Sequence, residues 1–183
     1  MNITGQTAGT GGVTGISGLR ARDGSQRISI DGRVLPSLGA SRQDFETNLV
    51  RGSDLGLSNY DLLHLWGPRL GDEAAAGIWL APKTINTSVQ ARVETQLEGL
   101  AQVANSQGGR LTLRVTGSTH PRAELPPNLR ADDFLAEVKY QFTVEIPGTP
   151  AASGEVTIRI GAPPNGRLEL LGAASLDRLT KVP

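Results

Sequence analysis

The sequence predicts an α+β fold: a long amphipathic helix packed on a roughly four-stranded antiparallel sheet, with a small N-terminal hairpin and helix ahead of them. Three observations carry this. Ile85, Val89, Val93, Leu97, Leu100 and Ala104 recur at three- and four-residue steps, while Gln90, Arg92, Glu94, Gln96 and Glu98 take the opposite side. After Gly108-Gly109 the period drops to two, and residues 111–115, 138–146, 156–160 and 168–170 alternate apolar with polar side chains. The joins between these runs are rich in turn residues. A sheet with one dry face results, and the helix is its natural cover.

The elements follow in order. Residues 1–18 are Gly/Thr/Ser-rich and almost uncharged, so 1–26 reads as a flexible linker before a domain over 27–183. Residues 27–35 read as a hairpin turning at Asp31-Gly32, a favoured two-residue turn. Ser41, Asp44, Phe45, Leu49 and Val50 suit a short capped helix. Residues 52–59 read as loop, and 60–65 is an apolar run too short to assign. Residues 72–80 suit a short helix ended by Pro82. Thr84 or Asn86 would cap the long helix and Gly108-Gly109 would end it. The connection over 117–133 is long for a hairpin, and loops of that length are often functional or mobile.

At 183 residues and 38% hydrophobic content the chain supports one domain with a tail. With no cysteine, disulfides, thiolate catalysis and Cys-ligated zinc are excluded. Lys+Arg and Asp+Glu both number 18. That balance argues against a dedicated nucleic-acid binder, but not against an enzyme touching a few phosphates through a local patch. No apolar run reaches the ~18 residues of a membrane span. The N-terminus lacks the basic start and apolar core of a signal peptide, so export would need another machine or a longer parent chain. No P-loop, GxGxxG, GxSxG, HExxH or zinc spacing occurs.

Chemistry-bearing residues concentrate between His64 and Asn86, a stretch holding one of two histidines and both tryptophans. His64, flanked by leucines, suits either a packed core position or a general base near neutral pKa. Asp72 and Glu73 would orient His64 or ligate a hard metal; equally they suit the acidic first turn of a helix. Arg69 and Lys83 would grip phosphate, helped by free N–H groups at the helix start, or stand as solvated charges. Asn86 is a cap or a metal ligand. His120, in Ser118-Thr119-His120-Pro121-Arg122, would supply a second acid–base group with Arg122 as cation, or be an exposed loop histidine. Arg110, Arg114, Lys139, Arg159 and Arg167 share the wet sheet face with Glu145, Glu155 and Glu169, which suits a solvated face as well as a basic platform.

The block HLWGPRLGDEAAAG from His64, followed by Leu80-Ala-Pro and Asn86, resembles the C-terminal toxin module of bacterial polymorphic toxins over roughly residues 60–183. Arg69 stands where that pattern has glycine. The resemblance implies a toxin effector delivered into a target cell by a dedicated secretion system or delivery protein, acting on bacteria or on a host, with a cognate immunity protein as partner. His64 ahead of a loop and Asn86 entering a helix are also similar to the His…Asn layout of His-Me finger nucleases, although Leu62-Leu63 stand where that family has a basic residue and glycine. That likeness implies a nuclease with His64 as general base and Mg2+ held by Asn86 with Asp72. Two alternatives stay open: a metal-independent ribonuclease using His64 and His120, and a non-catalytic binding module of a secreted toxin.

Overall fold

In chain order the strands are Thr7–Gly9 (β1), Val13–Arg20 (β2), Gln26–Arg33 (β3), Tyr60–His64 (β4), Asp72–Ala74 (β5) and Ile78–Pro82 (β6). The helix follows. Its entry, Ile85–Gln90, is π-helical and runs into the α-helix Ala91–Ser106 (α1). Arg110–Thr119 (β7), Leu135–Glu145 (β8), Ala152–Ile160 (β9) and Leu168–Leu171 (β10) complete the described elements. The computed structural model describes residues 7–9, 12–35 and 49–172.

The four strands expected after the helix all form, and two more join them. The large sheet is antiparallel in the order β10-β9-β8-β7-β3-β2. Alternation sets its faces. Leu111, Leu113, Val115, Tyr140, Phe142, Val156 and Ile158 are buried on the dry side. Val93, Leu97, Leu100 and Ala101 of α1 belong to the same apolar cluster. Each large side chain withdrawn there contributes roughly 1.5–3 kcal/mol. Gly108, at φ +73, ends the helix as expected, with its N–H and that of Gly109 donating to the carbonyls of Asn105 and Ala104.

The outer face is self-neutralised. Arg114 pairs with Asp31 at 2.6 Å, Lys139 with Glu155 at 2.9 Å and Arg159 with Glu137 at 3.0 Å, and Arg110 pairs with Glu145. Exposed pairs of this kind add little stability, about 0–1 kcal/mol each. They do cancel the local field, so this face is not a basic platform.

Several expectations are corrected. The segment expected as linker is structured in part: β1 pairs with β5 and Val13–Arg20 forms the edge strand β2. Asp31-Gly32 is no turn. Register runs unbroken from Arg27 to Arg33 against β7, and the hairpin is instead β2–β3, turning through Asp23-Gly24 with Gly24 at φ +85. The Asp-Gly signal occurs twice, and only the earlier copy stands between two strands that pair with each other. The helix expected over 72–80 is replaced by β5 and β6. Gly77, at φ +75, breaks the run, and its left-handed backbone is incompatible with helix. The helix expected around Ser41–Asp44 lies outside the described residues. Thr84 and Asn86 form no side-chain cap.

β4 and β6 form a separate ribbon, Tyr60 to His64 against Pro82 to Ile78. Apart from the exposed Asp61 it is buried on both faces, which explains its largely apolar sequence. Leu63 and Trp79 join the main core. Tyr60, Leu62, Ile78 and Leu80 face a second cluster with Leu125 and Leu129 from the 117–133 connection and with Phe134 just after it. Tyr60 and Phe134 meet edge to face at 5.9 Å. The long connection is therefore packed by its own side chains.

The ribbon approaches the sheet most closely at Gly117 of β7. A Cβ there would stand 2.6 Å from the side chains of both Leu65 and Trp79. Gly117→Val should therefore destabilise the domain by about 1–3 kcal/mol, the usual result of overfilling a packed core, readable as a lowered midpoint in urea. An unchanged midpoint would mean that ribbon and sheet are not in that contact.

Candidate active site

The site forms where β4 leaves the ribbon. Its free edge turns toward the helix entry. Asn86 Nδ2 donates to the Leu62 carbonyl at 3.1 Å, and Gln90 Nε2 donates to the His64 carbonyl at 2.7 Å. Residues four apart on the helix thus satisfy carbonyls two apart on the strand. Beyond His64 the chain makes a tight turn, Pro68–Leu70, and returns as β5, which carries Glu73.

His64 and Glu73 are both buried, at 7% and 2% exposure. His64 Nδ1 lies 3.2 Å from Glu73 Oε1. The two atoms approach without the geometry of a hydrogen bond to each other. A buried carboxylate needs such a partner, because an unpaired charge costs several kcal/mol to desolvate.

A second buried polar group lies on the helix side. Gln90 Nε2 also donates to Glu94 Oε1 at 3.0 Å, so one amide holds both the His64 carbonyl and the Glu94 carboxyl. Burial pushes the Glu94 carboxyl up to about 7, against the opposing pull of Arg69 and the Gln90 hydrogen bond. The Tyr140 hydroxyl is buried nearby and its pKa is raised, first by desolvation and then by Glu94. Sequence reasoning placed Gln90 and Glu94 on the wet side of the helix. The π-helical entry changes the winding and turns both inward.

The other expected residues disperse. His120 is buried but has its own carboxylate, Glu124 Oε2 at 2.9 Å from Nδ1. Arg122 spends its guanidinium on the carbonyls of Leu125, Pro126 and Pro127, fixing the 117–133 connection. Arg69 is exposed and donates to Thr95 Oγ1 at 2.7 Å. Lys83 is exposed at the helix entry. Asp72 is placed in β5 by its backbone alone. Among the described residues no group of three or more His, Asp or Glu is arranged to hold a metal ion.

A cleft of about 270 Å³ opens along the ribbon, and His64 is not among the residues that line it. Leu62, two residues before His64 on the same strand face, and Ile78, its cross-strand partner, both line it. Asp132 and Asp133 stand at its wall. A larger groove of about 720 Å³ runs over the outer sheet face, but its charged lining is the already paired Asp31, Arg114 and Glu155.

Two predictions follow from these contacts. Asn86→Ala strands the Leu62 carbonyl and should cost about 1–3 kcal/mol in chemical denaturation, with or without chelator. A cost appearing only when a divalent metal is present would make Asn86 a ligand instead of a clamp. The folded chain keeps a proton on Glu94 that the unfolded chain releases above pH 4.5. This group's effect on stability is absent below pH 4.5, grows more unfavourable up to about 7, and amounts to on the order of 3 kcal/mol beyond. Glu94→Gln should therefore gain stability over the parent as pH rises from 4.5 to 8; a difference independent of pH would show that Glu94 titrates normally.

A family model described as bacterial toxin 4 (Ntox4) matches residues 57–151, more than half of the chain. The match runs from just before β4 through the whole of β8, and so takes in His64, Glu73, Gln90 and Glu94. No curated protein matches, and no solved structure matches. The chain belongs to the bacterial toxin 4 family.

Proposed function

We propose that this toxin domain cleaves RNA without a metal ion, with His64 as general base. The observation that carries the reading is the buried His64–Glu73 pair, 3.2 Å apart, beside a cleft. Glu73 on Nδ1 orients the imidazole and stabilises it once protonated, the role a carboxylate plays beside a catalytic histidine. His64 takes the proton of the ribose 2′-hydroxyl as that oxygen attacks phosphorus; the P–O5′ bond breaks, the 5′-oxygen takes a proton from solvent, and a 2′,3′-cyclic phosphate is left. RNA is favoured over DNA because this route supplies its own nucleophile. The route needs no metal ion to make its nucleophile, because the ribose 2′-hydroxyl is already part of the substrate. Arg69 and Lys83, exposed near the two ends of the ribbon–helix junction, would receive phosphate. The reading gives no step to His120, whose Nδ1 lies 2.9 Å from Glu124 Oε2.

Delivery into a target cell and a cognate immunity protein belong to the same reading, since a producer of such an enzyme has to be protected from it. No helix among the described residues is long and apolar enough to cross a membrane.

The depth of His64 favours a second reading, a non-catalytic binding module in which His64 and Glu73 only tie β4 to β5. Purified protein incubated with RNA and DNA, with and without chelator, separates the two. The expected result is chelator-resistant RNA cleavage, reduced roughly 10²–10⁴-fold by His64→Ala in a protein that stays folded. Absence of cleavage of either nucleic acid, with His64→Ala still toxic to a bacterial host, would exclude catalysis by His64.

A further inference from the structure

We propose that the cleft beside His64 is a base-reading pocket for guanine, with Asp133 as its specificity-determining residue. This rests on the ribonuclease reading for its biological meaning, but its geometry stands independently. The residues lining it include Leu62, Ile78, Trp79 and Leu80 from the ribbon and Ile28 from β3. A flat, apolar ligand suits such walls, and single-stranded bases are commonly taken up in this way.

The polar groups at the cleft narrow the choice. Asp132 is committed, with Arg20 at 2.9 Å and Arg130 at 3.3 Å on the same oxygen. Asp133 is the less committed carboxylate, its only described ion pair being Arg130 at 4.0 Å. Its backbone is fixed, because the Asp133 carbonyl accepts from Leu80 N–H at 2.8 Å. A rigidly mounted carboxylate offers two acceptors side by side. Guanine alone among the standard bases presents two adjacent donors, the ring N–H and the exocyclic amine, on one edge. Gln26 at the cleft adds an amide that can serve the guanine carbonyl.

The groups facing Asp133 are consistent with this role. Burial raises its pKa, Arg130 lowers it and Asp132 raises it again. Donors on a bound base would replace the water the carboxylate has lost, so binding should favour the ionised form and weaken as pH falls.

The test uses guanosine, adenosine, cytidine and uridine 3′-monophosphates titrated into the intact protein, followed by tryptophan fluorescence, with cleavage mapped on RNA of mixed sequence. Expected are saturable binding of the guanosine nucleotide at least tenfold tighter than the others, and cleavage after guanosine. Asp133→Asn keeps the size of the side chain but replaces one acceptor with a donor. It should abolish the preference while leaving the melting temperature near that of the parent. Gln26→Ala checks the same pocket where Asp133→Asn fails to fold, and should weaken guanosine binding. RNA cleavage without base preference and without nucleotide binding would overturn the pocket and leave the ribonuclease reading intact. Selective guanosine binding by a protein that cleaves no RNA would do the reverse. Equal binding of all four nucleotides, unchanged in Asp133→Asn, would show that the phosphate alone is recognised and would overturn the assignment.

Discussion

The free edge of β4 is the constraint on which the rest of the structure depends. Among the described residues β4 has one strand neighbour, β6, so the carbonyls on its other edge need donors from elsewhere. Asn86 and Gln90 supply them through side-chain amides. A buried carbonyl left without a donor costs about as much as several exposed ion pairs contribute. These two bonds therefore fix the helix against the ribbon, and the helix in turn lies over β7 and β8. The same clamp sets where His64 leaves the strand, and hence where its imidazole meets Glu73.

Gln90 does two tasks with one nitrogen. By reaching the Glu94 carboxyl as well as the His64 carbonyl, it carries a titratable group into the main core. Glu94 is stable there mainly as a neutral acid. An apolar side chain would pack at that position without this sensitivity to pH. Retaining an acid beneath the turn that bears Arg69 costs stability at neutral pH, and such costs are commonly met at functional sites.

The outer face of the sheet looks in sequence like a row of cations, and the structure removes that meaning. Each of Arg110, Arg114, Lys139 and Arg159 has a carboxylate within reach from a neighbouring strand. Register, a property of strand pairing, decides this. Chemistry is left to the ribbon side, where burial is deep and the charges are few.

The sequence by itself determined the helix and the four strands after it, because each has a clean period and a marked end at Gly108-Gly109. It also set the stretch from His64 to Asn86 apart, because packing alone rarely needs that mixture of residues. Tertiary structure decided the rest. Whether Asp23-Gly24 or Asp31-Gly32 makes the turn depends on which strands find partners, and local propensity is the same for both. The stretch over 72–80 becomes two strands because Gly77 adopts a left-handed backbone and β1 and β4 are present to pair. Glu94 and Gln90 lie inward because the helix entry is wound as a π-helix, a departure that a 3.6-residue period does not signal. His64 with Glu73, and His120 with Glu124, are pairs that only a folded chain can choose, since each depends on which carboxylate the turn following that histidine brings back to it.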